Sequence, residues 1–131
     1  MADYTKLNMR EVENQAPKFG FPPEMEARFA TRPLELEQCG VGLEKLAPGF
    51  RIPFGHRHSR QEEVYVVVAG SGRIKIEDEI VELNTMDAVR LPPGTMRQME
   101  AGPEGVEYLA FGAPAGAEHE QDAEIVPGWW E

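Results

Sequence analysis

The stretch PGFRIPFGHRHSRQEEVYVVVAGSGRI, residues 48–74, carries the strongest structural signal in the chain. His56 and His58 are two residues apart in a segment predicted to be extended, so both imidazoles leave the same face of a strand. A second strand begins near Glu63, and we expect it to lie antiparallel and adjacent to the first. A carboxylate there sits opposite the two imidazoles. Two nitrogens and one carboxylate oxygen converging on one point are typical ligands of a divalent transition metal with open coordination positions.

Short apolar runs separated by turns continue beyond this stretch. EVYVVVAG (63–70) is rich in β-branched residues, GRIKIEDEIVEL (72–83) has the pattern of a hairpin, and GVEYLAFG (105–112) repeats the type. Runs this short, about 8–12 residues apart, are typical of a β-sandwich or barrel. No helical stretch of comparable strength competes with them. The sequence therefore predicts an all-β fold.

The spacing around the histidines resembles the first conserved motif of the cupin superfamily: glycine, a short gap, His-X-His, three or four residues, Glu, six residues, Gly. Gly49 precedes the two histidines, four residues separate them from Glu63, and six more lead to Gly70. Glu62 and Glu63 compete for the ligand position. The six-residue gap to Gly70 selects Glu63, so the resemblance implies a metal site on His56, His58 and Glu63.

MDAVRLPPGTMRQMEA (86–101) resembles the second cupin motif, which runs glycine, five residues, Pro-X-Gly, two residues, His, three residues, Asn. Pro92 and Gly94 are in register with it. Three positions depart from the motif: Met86 replaces the glycine, Arg97 the histidine that is the fourth metal ligand, and Ala101 the asparagine. The resemblance supports the fold but removes one ligand from the expected metal site.

The resemblance implies a cupin jelly-roll β-barrel made by one domain, residues 1–131. The barrel core is expected at about 34–112, behind an irregular N-terminal arm at 1–33 and before a C-terminal tail at 113–131. The arm is predicted to be irregular because APKFGFPPE (16–24) contains three prolines and a glycine.

Residues outside the two motifs give weaker signals. Trp129 and Trp130 predict that the end of the chain docks on the barrel or on a partner subunit. His119 lies in a flexible acidic stretch and is assigned to solvated surface. Cys39, between strand-like residues and with no base nearby in sequence, is predicted to be a buried small apolar residue.

Arg97 leaves three arrangements open. A guanidinium offers no lone pair, so Arg97 cannot replace the missing histidine as a ligand. The triad can bind metal with water in the open positions. Arg97 can instead hold a substrate carboxylate or phosphate beside the metal, or form a salt bridge with Glu63 and leave a metal-free pocket. Tyr65 shares the strand parity of Glu63 and is predicted, with Arg97, to contact the ligand.

The resemblance leaves the reaction open, because cupins differ widely in activity. The leading expectation is a divalent transition metal (Fe, Mn, Ni or Zn) in the His-His-Glu site and a small anionic ligand at Arg97. An enzyme of this kind would be a metal-dependent dioxygenase, isomerase or decarboxylase. The alternative is a metal-free small-molecule binding module without catalysis. The resemblance also implies a homodimer.

The composition excludes several classes of function. The chain has 131 residues, 41% apolar and 27% charged, which is ordinary for one globular domain. A formal net charge of -10 repels phosphate backbones, so no nucleic-acid partner is expected. The single cysteine cannot form an intrachain disulfide, and no segment has the character of a signal peptide or a membrane span. We therefore expect a cytoplasmic protein without a membrane partner.

Overall fold

Antiparallel strands account for most of the regular structure. The structure is a computed structural model that describes residues 1–115 and 122–131. Within these residues two short 3-10 helices precede the first of eight strands. The helices are Met9–Glu11 and Ala16–Phe19, and the strands are β1 (Met25–Phe29), β2 (Gly40–Leu46), β3 (Phe54–His58), β4 (Glu62–Ile76), β5 (Glu79–Leu83), β6 (Ala88–Leu91), β7 (Arg97–Ala113) and β8 (Ala123–Pro127).

The two long strands, β4 and β7, pair along most of their length and bend together. One half of the curled sheet runs β1-β2-β7-β4-β6 and uses Val106–Ala113 of β7. The other half runs β5-β4-β7-β3-β8 and uses Arg97–Ala101 of the same strand. The predicted all-β jelly roll is therefore confirmed.

Gly70 marks the bend between the two halves. The register of β4 against β7 shifts on both sides of it, between Val67 and Ala69 and between Gly70 and Gly72. Its φ is +73°, and a Cβ there would collide with the carbonyl oxygen of Gly105. Only glycine fits this close approach of two backbones in the left-handed region.

The core fills the inside of the curl. Its most buried side chains come from four strands and are large and apolar or aromatic: Leu46, Val67, Ile74, Leu91, Met99 and Tyr108. In β4 the buried side chains alternate with half-buried ones, as expected for a strand with one face on the core.

The chain ends contribute more to the sheet than the sequence predicts. Residues 25–29, inside the predicted irregular arm, form β1 and pair with β2. Residues 123–127, inside the predicted tail, form β8 and pair with β3. His119 lies outside the described residues.

The prediction for Cys39 is wrong. Residues 34–39, within the predicted barrel core, contain turns and bends and no strand, with Glu35 at a φ of +61°. Cys39 precedes β2 in this segment and is exposed. No helix in the described part of the chain is long and apolar enough to cross a membrane.

Candidate metal centre

The two histidines lie on a short strand held from both sides. β3 pairs with β8 along its whole length, from Phe54 opposite Pro127 to His58 opposite Ala123. On its other side His56 lies opposite Arg97 of β7. The sequence predicts that β3 and β4 are adjacent, and this prediction is wrong, because β7 and β8 occupy the two sides of β3. Glu63 instead reaches the histidines from the other half of the curled sheet.

Three ligand atoms nevertheless converge. The Nε2 of His58 lies 3.5 Å from Oε1 of Glu63, and the Nε2 of His56 lies 3.9 Å from the same oxygen. One ligand atom from each of the three residues lies within 4.8 Å of the others. Ligands that share one ion at bonds of about 2.1 Å are about 3–4 Å apart, so this donor set could hold a metal ion with little movement.

A buried carboxylate orients His58. The Nδ1 of His58 lies 3.0 Å from Oδ2 of Asp122, whose side chain is 4% exposed. The other oxygen of Asp122 accepts the backbone N–H of Arg60. Burial would raise the pKa of Asp122, but these hydrogen bonds outweigh it and lower the pKa, so Asp122 is ionised. An ionised acceptor favours a proton on Nδ1 of His58, so Nε2, which faces Glu63, is the nitrogen that could bind a metal.

His56 and Glu63 are also in the protonation states that a metal requires. Burial lowers the pKa of His56, and the positive charge of Arg97 acts in the same direction, so the imidazole is neutral at pH 7. For Glu63, burial opposes ionisation, but the His56 ring and the charge of Arg97 lower its pKa below the ordinary value. A neutral imidazole and an ionised carboxylate bind metal without releasing protons.

Arg97 lies behind the three candidate ligands. Its side chain is 1% exposed, and one terminal nitrogen donates to Oε1 of Glu63, the oxygen that faces the histidines. The other terminal nitrogen donates to the carbonyl of Thr95 at 2.9 Å, and Nε lies 3.5 Å from the hydroxyl of Tyr65. Of the three arrangements open from sequence, the structure contains the Arg97–Glu63 salt bridge. Anion binding by Arg97 stays a prediction.

The cluster lies at the base of a cavity of about 530 Å³. His56, His58, Glu63 and Tyr65 all line it, so the predicted metal ligands and one of the two predicted ligand-contacting residues share one space. Arg97 lies behind this base, in a smaller adjoining cavity of about 40 Å³. A space of this size accommodates a small organic molecule.

Two acidic residues of this site escaped the sequence analysis. Asp122 is 64 residues from His58 and belongs to no local motif, so only the tertiary fold reveals it. Glu44, on β2, lies at the cavity base. A signal for it existed, because Glu44 shares the strand parity of Gly42 and the buried Leu46.

Glu44 has an unusual titration. Burial raises its pKa from the ordinary 4.5 to about 7, and the negative charge of Glu63 acts in the same direction. A hydrogen bond with Tyr108 and the charge of Arg97 oppose the rise. Glu44 can therefore hold or release a proton inside the cavity near neutral pH.

Comparison with known proteins agrees with this geometry. A family model described as the cupin domain matches residues 42–112, more than half of the chain. The chain belongs to the cupin family. No curated protein matches it.

Solved structures give the same fold. A cupin protein from Bacteroides fragilis is 26% identical, with a TM-score of 0.71 over 88% of each chain. Oxalate decarboxylase from Bacillus subtilis is 23% identical, with a TM-score of 0.76 over 95% of this chain and 32% of its own. A conserved protein with a double-stranded β-helix domain from Klebsiella pneumoniae is 18% identical, with a TM-score of 0.73 over 95% of this chain and 98% of its own. This cupin thus spans about a third of the decarboxylase.

The raised pKa of Glu44 predicts a pH-dependent stability. Between about pH 4.5 and 7 the folded chain binds more protons at this carboxyl than the unfolded chain, so the free energy of unfolding falls as pH rises. Glu44→Gln removes this term. Urea denaturation in a chelator at pH 5 and pH 8 should show a smaller loss of stability in Glu44→Gln than in the wild type. Glu79→Gln, at an exposed position of β5, is the control and should follow the wild type. Equal losses in all three proteins would contradict the burial of Glu44.

Proposed function

We propose that this cupin holds a divalent transition metal on His56, His58 and Glu63. We propose further that it binds a small anionic ligand in the cavity of about 530 Å³ that these three residues line. The observation that carries the proposal is the convergence of three ligand atoms, with the Nε2 of His58 directed by Asp122. A histidine that only filled space on a strand would not need a buried carboxylate 64 residues away to fix its tautomer.

The charges at the cavity base support an anionic ligand once the metal is present. The charges of Glu63 and Arg97 offset each other, so a divalent ion leaves the base positive. Glu44 is partly protonated near pH 7, which limits its repulsion of an anion. A bound metal would supply a Lewis acid with open coordination positions. Arg97 contributes its charge from behind the base, and a direct contact with the ligand would require it to leave Glu63.

The alternative function is a metal-free small-molecule binding module. The Arg97–Glu63 salt bridge favours it, because a guanidinium already neutralises the one carboxylate among the candidate ligands. Two unit charges of the same sign 4 Å apart repel by about 1–4 kcal/mol between water and a protein surface. Metal content distinguishes the two functions. The homodimer and the cytoplasmic location stay predictions.

Metal should depend on the triad. Protein purified without an affinity tag is expected to contain metal in proportion to protein by elemental analysis, and His56→Ala, His58→Ala and Glu63→Gln should each lose it. Glu62→Gln is the matched control, because its exposed carboxylate is next in sequence to Glu63. Circular dichroism should show the same β-rich fold in all variants. Metal retained in the His56→Ala/His58→Ala double variant would place it elsewhere.

Arg97→His should bind divalent metal more tightly than the wild type. The change adds a ligand and removes a positive charge, and we expect at least about a tenfold gain in affinity. Competition with a chromophoric chelator measures it. Arg97→Lys keeps the positive charge, and a protonated lysine cannot bind a metal, so this variant should show no such gain. An unchanged affinity in Arg97→His would mean that neither the missing ligand nor the charge limits metal binding.

Asp122→Asn should weaken metal binding about 10- to 100-fold, because an amide does not fix the tautomer of His58 as an ionised carboxylate does. The same chelator assay measures the change. Asp87→Asn is the control, since Asp87 also accepts a backbone N–H, that of Asn84, but does so in a turn that does not line the cavity. If the two variants bind metal equally well, Asp122 only shapes the turn at Arg60.

A further inference from the structure

Four phenylalanines form a continuous row of rings that ends at the candidate metal centre. We call Phe19, Phe21, Phe29 and Phe54 the aromatic row. Phe29 meets Phe19 edge to face at 6.2 Å between ring centres, and Phe19 meets Phe21 at 5.9 Å. Phe21 stacks on Phe54 at 5.5 Å, and Phe54 lies 6.5 Å from the His56 ring. All four phenylalanines line the same cavity.

The outer half of the row is apolar surface left uncovered. Phe19 is 58% exposed and Phe29 is 40% exposed, whereas Phe21 and Phe54 pack against the core. Covering apolar surface with a ligand removes it from water, which favours binding by about 25 cal/mol per Å². The exposed rings therefore favour a ligand with an apolar body.

The row is built before any ligand arrives. The 3-10 helix that carries Phe19 is capped by Gly20, whose φ is +77° and whose N–H donates to the carbonyl oxygens of Ala16 and Pro17. The N–H of Phe21 also donates to Ala16, and that of Gln15 donates to Ala27 of β1. Since the arm is already held on the sheet, a ligand does not have to order it.

Small residues from two neighbouring strands also line the cavity. β2 contributes Gly40 and Gly42, and β7 contributes Ala110 and Gly112. Two of the glycines let other side chains pack directly on the backbone, since a Cβ at Gly42 would lie 3.3 Å from the Phe29 ring and one at Gly112 would collide with Gln61. Gly42 thus allows Phe29 to take its place in the aromatic row. The rings of the row suit a planar aromatic ligand, which prefers offset or edge contacts with other rings.

We infer that the cavity takes a small single-ring aromatic carboxylate, with its ring against the aromatic row and its carboxylate towards His56 and His58. The position of the carboxylate depends on the metal proposed above. Without a metal the cavity base carries only the paired charges of Glu63 and Arg97 and the acid Glu44, which would not attract an anion. The ring end does not rest on the metal. At the mouth Arg32 is exposed and has no ion pair in the described part of the chain, so it adds a positive charge where an anion would enter.

Phenylacetate and acetate test the ring on metal-loaded protein. Isothermal titration calorimetry should show at least about tenfold tighter binding of phenylacetate, because only it covers the row. Phe19→Ala and Phe21→Leu should each weaken phenylacetate about three- to tenfold and leave acetate binding and metal content unchanged. Phe111→Ala is the matched control, since Phe111 is 37% exposed but lies on β7 outside the cavity. It should change neither ligand.

Benzyl alcohol on chelator-treated protein separates this inference from the metal proposal. It has the ring but no charge, so it should bind wild type without metal and lose affinity in Phe19→Ala. If no metal is found and benzyl alcohol behaves in this way, the metal proposal fails and the aromatic site stands. If Phe19→Ala changes neither the preference for phenylacetate over acetate nor the affinity for benzyl alcohol, the aromatic site is wrong. It is equally wrong if Phe19→Ala changes only the mass of the particle in sedimentation, since the row would then cover a second copy of the chain.

Discussion

The pairing of β4 with β7 is the interaction on which the rest of this structure depends. Each strand runs through both halves of the curled sheet, so their shared bend at Gly70 sets how the halves face each other. β4 brings Glu63 and Tyr65 to the cavity from one half, while β7 brings Arg97 from the other and holds the strand of the histidines beside it. The candidate metal centre is thus a product of strand curvature, and it does not come from any single hairpin.

The centre combines features that favour and oppose a cation. Asp122 directs one imidazole, burial keeps the other neutral, and Glu63 stays ionised, which together prepare three ligands. Arg97 offers the opposite influence, because its guanidinium already contacts the oxygen that a metal would use. The hydrogen bond to His56 and the charge of Arg97 together lower the pKa of the buried Glu63. Removing Arg97 would therefore change both the affinity for metal and the charge state of its ligand.

The cavity divides its chemistry between two ends. Its base has ionisable groups on β2, β3 and β4. The aromatic row, three of whose rings come from the first 29 residues, runs from the exposed Phe19 and Phe29 to this base. A shared fold does not identify the ligand, because function depends on the residues of the site. Fold similarity at 18–26% identity accordingly says little about the ligand.

The sequence by itself determined the all-β class, the cupin jelly roll and the identity of three candidate metal ligands. It could do so because strand alternation and motif spacing are local properties: His56, His58 and Glu63 lie within eight residues of chain, and the six-residue gap to Gly70 selects between two glutamates. Only the tertiary structure decided that Glu63 faces the histidines across the sheet, that Arg97 pairs with it, and that Asp122 and Glu44 join the site. These contacts join residues from different strands and from the turn before β8, up to 64 positions apart. Their distances follow from how the sheet curls, which no local pattern records.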